Sequence, residues 1–437
     1  MNVRRIHGTD PAFWIRLAEL AEFESPDVEA EVRAIVADVR ARGDEAVVEL
    51  TNRLDGRAVA TAAELEIPMA RASRALESLD REVRGALETA ASRIRAFHER
   101  QRVGSWSRTE ADGAVTGQRV VPVDRAGIYV PGGRAAYPSS VLMNAIPARV
   151  AGVGEVVMTV PAPGGEVSPA VLAAARIAEV DRIWSIGGAQ AIAALAFGTQ
   201  SVSAVDKIVG PGNAWVSTAK RLVFGRVGID SVAGPSEILI VADGTTPAEW
   251  VAADLCSQAE HDEDARATLV CPVPAYVDAV ESELAALVPR LSRAAIIRAS
   301  FERSGAFVLV RDLDEAVEVA NFLAPEHLEL SVADPSTLLD RVRHAGAVFL
   351  GRHSTEVLGD YCAGPNHVLP TGRTARFSSP LGVYDFQKRM NVIECSAAAA
   401  RRLGQVAVVL AKAEGLTAHA CAAALRMPDE TAGQGRG

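Results

Sequence analysis

The chain has 437 residues, more than one hydrophobic core usually organises, so we expect two or three domains. Nearly half of the residues are apolar and the formal net charge is -10, which argues against a general binder of nucleic acid or of anionic membranes. No apolar run is long enough to span a membrane and no signal-peptide pattern is visible, so we expect a cytoplasmic protein with no membrane partner.

The five cysteines are scattered along the chain and include no Cys-x-x-Cys pair. They fit reduced packing residues better than disulfides or a thiolate zinc site. Cys256 is a weak candidate for a nucleophile, because the sequence places no histidine partner beside it.

The N-terminal part of the chain predicts packing helices to which we assign no chemistry. One helix is expected to open at Ser25-Pro26, to follow an apolar stripe and to close at Gly43. A second apolar stripe recurs in steps of three and four between residues 76 and 97, which predicts another long helix.

From Ala126 onward the pattern is a buried strand, a glycine turn and a helix, repeated. Strands are predicted at residues 127–130, 156–160, 182–186 and 207–209. The first of them runs into the turn Pro131-Gly132-Gly133. This alternation is typical of an α/β domain with a mostly parallel sheet.

A second α/β layer is predicted after Ser236. Its strands are expected at residues 238–241, 268–270, 306–310 and 347–350. A polar connection then leads to a helical tail, whose last residues, 429–437, are expected to be disordered. The predicted division is an N-terminal segment (1–25), a discontinuous first α/β domain (26–125 with 237–377), a second α/β domain with the glycine turns (126–236), and the tail (378–437).

Two glycine turns follow predicted strands and open helices, where backbone N–H groups can face a phosphate. They are Gly-Gly-Ala-Gln at 187–190 and Gly-Pro-Gly-Asn at 210–213. Neither matches Gly-x-Gly-x-x-Gly, so tight turns explain the glycines about as well as a dinucleotide does. Gln190 and Asn213 either bond a nucleotide or cap their helices, and Tyr129 either stacks on a flat ring or fills the crevice.

A helix that starts at Thr246-Pro247, with the form of a capping box, ends in two groups that can bind a metal. At helical spacing Gln258 and His261 continue the inward face that begins at Val251, and they are close enough to touch one cation. The alternative is that His261 is an ordinary last-turn residue.

Glu326 and His327 stand side by side where a strand begins. They can serve one site only at an irregular turn, which Pro325 favours, and there the imidazole suits proton abstraction. The alternative is a surface carboxylate and a capped imidazole. Asp360 lies on a glycine-marked turn and is free to point at a cation. The flanking residues His353 and His367 are runner-up ligands.

Several separate motifs, in order, resemble the histidinol dehydrogenase family from about residue 25 to 427. The most specific are Gly210-Pro211-Gly212-Asn213, Ala233-Gly234-Pro235-Ser236-Glu237, Ser257-Gln258-Ala259-Glu260-His261, Ala324-Pro325-Glu326-His327-Leu328, residues 364–371, residues 378–388 and Glu414-Gly415-Leu416-Thr417-Ala418-His419.

The resemblance implies a role for each matching residue. Its zinc ligands are Gln258, His261, Asp360 and His419. Its substrate contacts are these four with Ser236, His327 and Glu414. NAD is implied near Tyr129, Gln190 and Asn213, and Glu326 with His327 match the acid–base pair.

The resemblance also implies the activity and the assembly. Members oxidise L-histidinol to L-histidine through L-histidinal, using two NAD and one zinc per subunit, in the last steps of histidine biosynthesis. Their fold resembles that of aldehyde dehydrogenases, with two incomplete Rossmann-like domains. The helical tail is implied to be exchanged in a homodimer, which would bring Glu414 and His419 into the partner's site.

Two other functions stay open from the sequence. A relative with the same zinc shell could oxidise another small alcohol, although a carboxylate at Glu414 favours a cationic amino alcohol over a sulfonated one. A non-catalytic metal-binding subunit would have no use for Glu326 and His327. The ligand types also suit manganese or cobalt.

Overall fold

The computed structural model describes residues 3–22, 27–132 and 136–427. Its strands in chain order are β1 (Arg4–His7), β2 (Glu66–Ile67), β3 (Trp106–Thr109), β4 (Ala114–Pro122), β5 (Arg125–Tyr129), β6 (Glu155–Thr159), β7 (Arg182–Trp184), β8 (Lys207–Val209), β9 (Gly228–Ile229), β10 (Glu237–Ala242), β11 (Arg266–Cys271), β12 (Ala306–Leu309), β13 (His327–Ser331), β14 (Ala347–Leu350) and β15 (Gln387–Cys395).

The helices are α1 (Phe13–Ala21), α2 (Glu29–Arg42), α3 (Asp44–Leu54), α4 (Met69–Ser78), α5 (Arg81–Glu99), α6 (Pro138–Ala151), α7 (Pro169–Ile177), α8 (Gly188–Phe197), α9 (Ala214–Val223), α10 (Ala248–Ala259), α11 (Pro274–Leu287), α12 (Ala294–Ser304), α13 (Leu313–Leu323), α14 (Ser336–Leu339), α15 (Glu356–Tyr361), α16 (Ala397–Ala413) and α17 (Thr417–Ala424). The predicted helix start at Ser25-Pro26, Gly133 and the predicted disordered end lie outside the described residues.

Two six-stranded sheets form most of the first compact unit, which comprises residues 1–101 and 123–386. Sheet A has the order β1-β12-β11-β10-β13-β14 and is parallel throughout. Sheet B has the order β2-β7-β6-β5-β8-β9, and only its edge strand β2 runs antiparallel to its neighbour. The α/β prediction with mostly parallel sheets is therefore confirmed.

Helices cover both faces of sheet B. Successive side chains of a strand point to opposite faces, so Val156 and Met158 pack with helices α4 to α7 while Val157 packs with α2, α3, α8 and α9. The helices between residues 29 and 99 thus cover sheet B, whereas the predicted division grouped them with residues 237–377. An apolar helical stripe has the same pattern whichever sheet it covers, so periodicity could not decide between them.

Sheet A is covered by α10, α11 and α12 on one face and by α1 and α13 on the other. Its edge strand β1 comes from the predicted N-terminal segment, which therefore belongs to this sheet rather than standing apart. The stripe between residues 76 and 97 also differs from the prediction, because it is split into α4 and α5. Asp80 caps α5, where its carboxylate accepts the N–H groups of Glu82 and Val83 at 2.9 and 3.2 Å.

The second compact unit comprises residues 102–122 and 387–437. It contains the antiparallel sheet β15-β4-β3 and the helices α16 and α17. The predicted helical segment near the C-terminus is confirmed by α16 and α17, but residues 378–437 also include β15, which pairs along its whole length with β4. At Gly415 the backbone has φ 75°, which separates the two helices. Among the described helices of both units, none is long and apolar enough to cross a membrane.

Candidate active site

The end of α10 presents a buried amide and an imidazole to the interior. Gln258 is fully buried, and its side-chain N–H donates to Nδ1 of His261 at 3.0 Å. Its Oε1 has no hydrogen-bond partner within the described residues. The predicted inward face is confirmed, but the predicted capping box is not, because the Thr246 hydroxyl bonds Ser331 instead.

His327 is held in one orientation at the start of β13. A carbonyl only accepts hydrogen bonds, so the contact of 2.9 Å between Nδ1 and the Glu237 carbonyl places the proton on Nδ1. Nε2 is then the free position, and it has no hydrogen-bond partner among the described residues. It lies 3.5 Å from Oδ1 of Asp360. In the neutral imidazole, Nε2 is therefore the nitrogen that can take a proton.

Glu326 directly precedes the strand and faces the same side as His327, which agrees with the irregular turn expected at this point. Ala324 has φ 47°, so the chain turns sharply before β13 begins. One carboxylate oxygen of Glu326 accepts the N–H of Glu237 at 2.9 Å and lies 3.8 Å from Nδ1 of His327. Both side chains are buried.

Burial and neighbouring charges shift the pKa values of these groups. Burial raises the pKa of Glu326 to about 8. Burial alone lowers the pKa of His327, but the carboxylates of Glu326, Asp360 and Glu356 outweigh it and raise the value to about 10. Burial likewise raises the pKa of Asp360, and the imidazole of His327 reverses that shift to a net decrease.

Asp360 lies on α15, in the middle of a group of imidazoles. Burial raises the pKa of Asp360, but the charges of His327, His367 and His261 lower it. His367 is oriented by its own contact of 2.9 Å between Nδ1 and the Asp360 carbonyl. The structure thus brings three of the four predicted ligands, Gln258, His261 and Asp360, into one unit of the fold.

The donor atoms fit a divalent metal. Among the described residues, the group of His, Cys, Asp and Glu side chains that could hold an ion is His327, Glu356 and Asp360, whose ligand atoms lie within 4.8 Å of one another. The unpartnered Oε1 of Gln258 and Nε2 of His327 add two buried lone pairs. Buried polar atoms without partners are costly, so a bound cation accounts for the amide oxygen of Gln258.

Two cavities reach this cluster. One, of about 440 Å³, is lined by His327, Asp360 and His367 together with apolar side chains such as Phe349 and Leu358. The other, of about 60 Å³, joins the two sheets and is lined by Gly210, Pro211, Asp230, Ser231, Ala233, Gly234, Ser236, Glu326, His367, Val368, Leu369 and Thr371. The candidate site therefore lies between sheets A and B.

The three predicted NAD contacts lie at the ends of sheet B strands. Tyr129 ends β5 and is buried, and its hydroxyl accepts the N–H of Gly188 at 3.1 Å. Gln190 is buried in the first turn of α8 with an unpartnered Oε1. Asn213 caps α9 by accepting the N–H of Val216 at 3.1 Å, which confirms the capping alternative. A role of these residues in binding NAD stays a prediction.

Glu414 and His419 belong to the second compact unit and are exposed. Glu414 follows α16 directly and His419 lies in the first turn of α17. The N-cap of α17 is Leu416, which makes no side-chain hydrogen bond. Their roles as substrate contact and fourth ligand stay predictions.

Sequence reasoning underrated His367 and missed Glu237 and Glu356. The signal that was available for His367 was its position close to Asp360 in the sequence. No local pattern marks Glu356, which is buried and accepts the hydroxyl of Ser257 at 2.9 Å. The other runner-up, His353, packs against Trp250 with ring centroids 5.7 Å apart. Burial raises the pKa of Cys256 to about 12, which argues against a nucleophile there.

Comparisons with known proteins agree on one family. The sequence model described as Histidinol dehydrogenase matches residues 19–427. Curated proteins named histidinol dehydrogenase from Pseudomonas aeruginosa and Chromobacterium violaceum are 60% and 58% identical over 98% of this chain, and the matches cover 98% and 99% of those proteins. The crystal structure of histidinol dehydrogenase from Elizabethkingia anophelis is similar with a TM-score of 0.91 and 30% identity, covering 97% of this chain and 98% of that chain.

Proposed function

Because the chain belongs to the histidinol dehydrogenase family, we propose that it oxidises L-histidinol to L-histidine through L-histidinal, with two NAD as hydride acceptors, in the last steps of histidine biosynthesis. The observation that carries this proposal is the fixed imidazole of His327. Its Nδ1–H is held by the Glu237 carbonyl and its Nε2 is free, next to the buried carboxyl of Glu326. A cytoplasmic location stays a prediction from the sequence.

The metal is proposed to be zinc, held by Gln258, His261 and Asp360 with His419 as the fourth ligand. This set is nitrogen and oxygen without thiolate, which suits zinc and leaves room for substrate atoms. When bound, zinc supplies a positive charge that orients the substrate and offsets the carboxylate of Asp360. His327 is kept out of the ligand set because its single free nitrogen is needed as the base.

Proton transfer is assigned to the two buried groups at the start of β13. In its neutral form, His327 would take the proton of the alcohol oxygen at Nε2, and NAD, when bound, would accept the hydride from the carbon that carries this oxygen. Glu326 removes a proton from the water that adds to the aldehyde before the second hydride transfer. The raised pKa of Glu326 suits a general base that works near neutral pH.

The substrate is proposed to contact Ser236, His327 and Glu414 in addition to the metal ligands. The position of Ser236 on the small cavity beside Glu326 and His367 supports this contact. The nicotinamide cofactor is proposed to bind along Tyr129, Gln190 and Asn213, at the carboxyl ends of sheet B strands, where open α/β sheets usually bind ligands. A small enclosed space keeps the aldehyde from solvent between the two steps.

A homodimer is proposed, in which Glu414 and His419 of the partner subunit complete each site. The second unit supports association because α16 exposes Val406, Val409 and Leu410, each more than half accessible. We expect deletion of residues 396–437 to abolish both activity and zinc retention, measured by NADH formation and by metal content after dialysis. A shortened monomer that still oxidised histidinol would contradict the shared site.

The proposed function is tested by counting NADH per histidinol, before and after treatment with a chelator. We expect two equivalents that disappear with the metal and return with zinc. The alternative substrate is another small alcohol, and NADH formation from such an alcohol without any from histidinol would favour it. Metal binding with no NADH from either substrate would favour a non-catalytic subunit.

A further inference from the structure

A fully buried lysine lies beneath one glycine turn of sheet B. Lys220, on α9, is 1% exposed and is one of the largest buried side chains of the molecule. Its ammonium group pairs with the carboxylate of Asp230, just after β9, whose side chain is also buried. Buried charges of this kind are rare, and replacing such a pair by apolar residues often leaves stability unchanged or higher. Stability alone therefore does not explain the pair.

The pair holds both backbone groups of a single residue. The Lys220 ammonium group donates to the Gly210 carbonyl at 2.9 Å. The second carboxylate oxygen of Asp230 accepts the Gly210 N–H at 2.8 Å. Lys220 on α9 and Asp230 after β9 thus bond the peptide groups on either side of Gly210. The turn cannot shift without breaking a charge-assisted hydrogen bond.

The conformation of the turn requires glycine at position 210. Its φ is 116°, and a Cβ atom there would lie 2.1 Å from the carbonyl oxygen of Tyr129. The turn is therefore pressed against the end of β5 on one side and held by charges on the other. It leads directly to Asn213, the cap of α9.

We propose that Lys220 and Asp230 are positioning residues that hold the turn 210–213 and Tyr129 in the geometry that binds NAD. Both side chains are almost completely buried, so their proposed role is to position the turn. The inference rests on the proposed function, because it takes the NAD site to lie at Tyr129, Gln190 and Asn213.

The test replaces the charges by apolar side chains of similar size. The double variant Lys220→Met with Asp230→Leu removes both charges, so no buried charge is left unpaired, but it releases Gly210. We expect its melting temperature to fall, because the buried N–H and carbonyl of Gly210 lose their hydrogen-bond partners. Its KM for NAD should rise about fivefold or more, the effect of one lost buried hydrogen bond, with KM for histidinol and zinc content unchanged.

A matched control exists at the opposite ends of the strands in the same sheet. Arg149 pairs with Asp181 and donates to the Glu179 and Val153 carbonyls at 2.6 and 3.1 Å, while Asp181 accepts the Val156 N–H at 2.7 Å. This pair also bonds backbone groups, at the amino ends of the strands, but it is more exposed, with side-chain exposures of 13% and 41%. Arg149→Met is expected to lower the melting temperature and to leave KM for NAD unchanged.

A folded double variant with the wild-type KM for NAD would overturn the inference, and so would an equal rise in the Arg149 variant. If the double variant does not fold, Asp230→Asn replaces it. An amide has one oxygen, so either the Gly210 contact or the Lys220 contact is lost, and an unchanged KM would again overturn the inference. Failure of the wild type to reduce NAD with histidinol would instead contradict the proposed function. The binding of NADH, measured by fluorescence, reports the effect of the turn on cofactor affinity without catalysis.

Discussion

The two six-stranded sheets use opposite ends of their strands for the site. In sheet A, Glu237 and His327 are the first residues of β10 and β13. In sheet B, Tyr129 ends β5, and the turns at 187–190 and 210–213 follow β7 and β8. Only sheet B follows the usual rule that ligands bind at the carboxyl ends of parallel strands.

The two edges also differ in chemistry. The sheet A edge carries buried carboxyl and imidazole groups with strongly shifted pKa values, as in Glu326 and His327. The sheet B edge carries glycines, amides and backbone N–H groups. Proton transfer needs titratable groups out of water, whereas a dinucleotide needs close approach to the backbone. This difference agrees with the proposed function, in which the sheet A strand ends act on the substrate and the sheet B strand ends hold the cofactor.

The largest effect is expected from the sheet A edge. His327→Asn removes the free Nε2 and should lower kcat for both hydride steps by about 10³-fold, within the usual range for a lost general base. The measurement is NADH formation from histidinol and from histidinal. KM for NAD should stay near the wild-type value. A selective loss of NAD affinity would contradict the proposed separation of proton transfer at sheet A from cofactor binding at sheet B.

The pH dependence of stability should come from the same edge. Glu326 has its pKa raised from 4.5 to about 8 in the folded protein, so its contribution is fully present below pH 4.5 and is lost as pH rises through 8. Relative to Glu326→Gln, the chelated wild type should lose about 3 kcal/mol of unfolding free energy between pH 5 and 9. Urea unfolding of both proteins at pH 5 and 9 measures this loss. An equal change of unfolding free energy in the two proteins would contradict the prediction.

Glu326→Gln should also separate the two oxidation steps. We expect a loss of about 10²-fold in the oxidation of free histidinal, because water is no longer deprotonated, and a smaller loss in the oxidation of histidinol to the aldehyde. Single-turnover NADH formation from each substrate gives both rates. Equal losses would argue against a role confined to water.

The smallest effect is expected from the sheet B edge. Asn213→Ala removes the cap of α9 and should cost about 1 kcal/mol of stability. It should raise KM for NAD severalfold without changing kcat or KM for histidinol. Asp80→Ala, which removes the comparable cap of α5, is the matched control for stability. A change in KM for histidinol would show that the strand ends of sheet B also affect substrate binding.

The pattern of apolar residues and glycines was enough to predict the type of most elements and part of the candidate site. The period of apolar residues reports which face of an element is buried, so the inward face of α10 with Gln258 and His261 was predictable. The strand and glycine-turn pattern likewise predicted where Tyr129, Gln190 and Asn213 stand. The roles of Glu414 and His419 came from resemblance to a family, because nothing local distinguishes them from surface residues.

Only the tertiary structure decided which elements meet. Periodicity does not encode partners, so the covering of sheet B by helices before residue 100 and the pairing of β15 with β4 were not predictable. The same holds for single side chains. Lys220 reads as an ordinary helical lysine until Asp230 and the Gly210 backbone are found around it. Burial of a charge depends on groups that folding brings together, and no pattern within one segment records them.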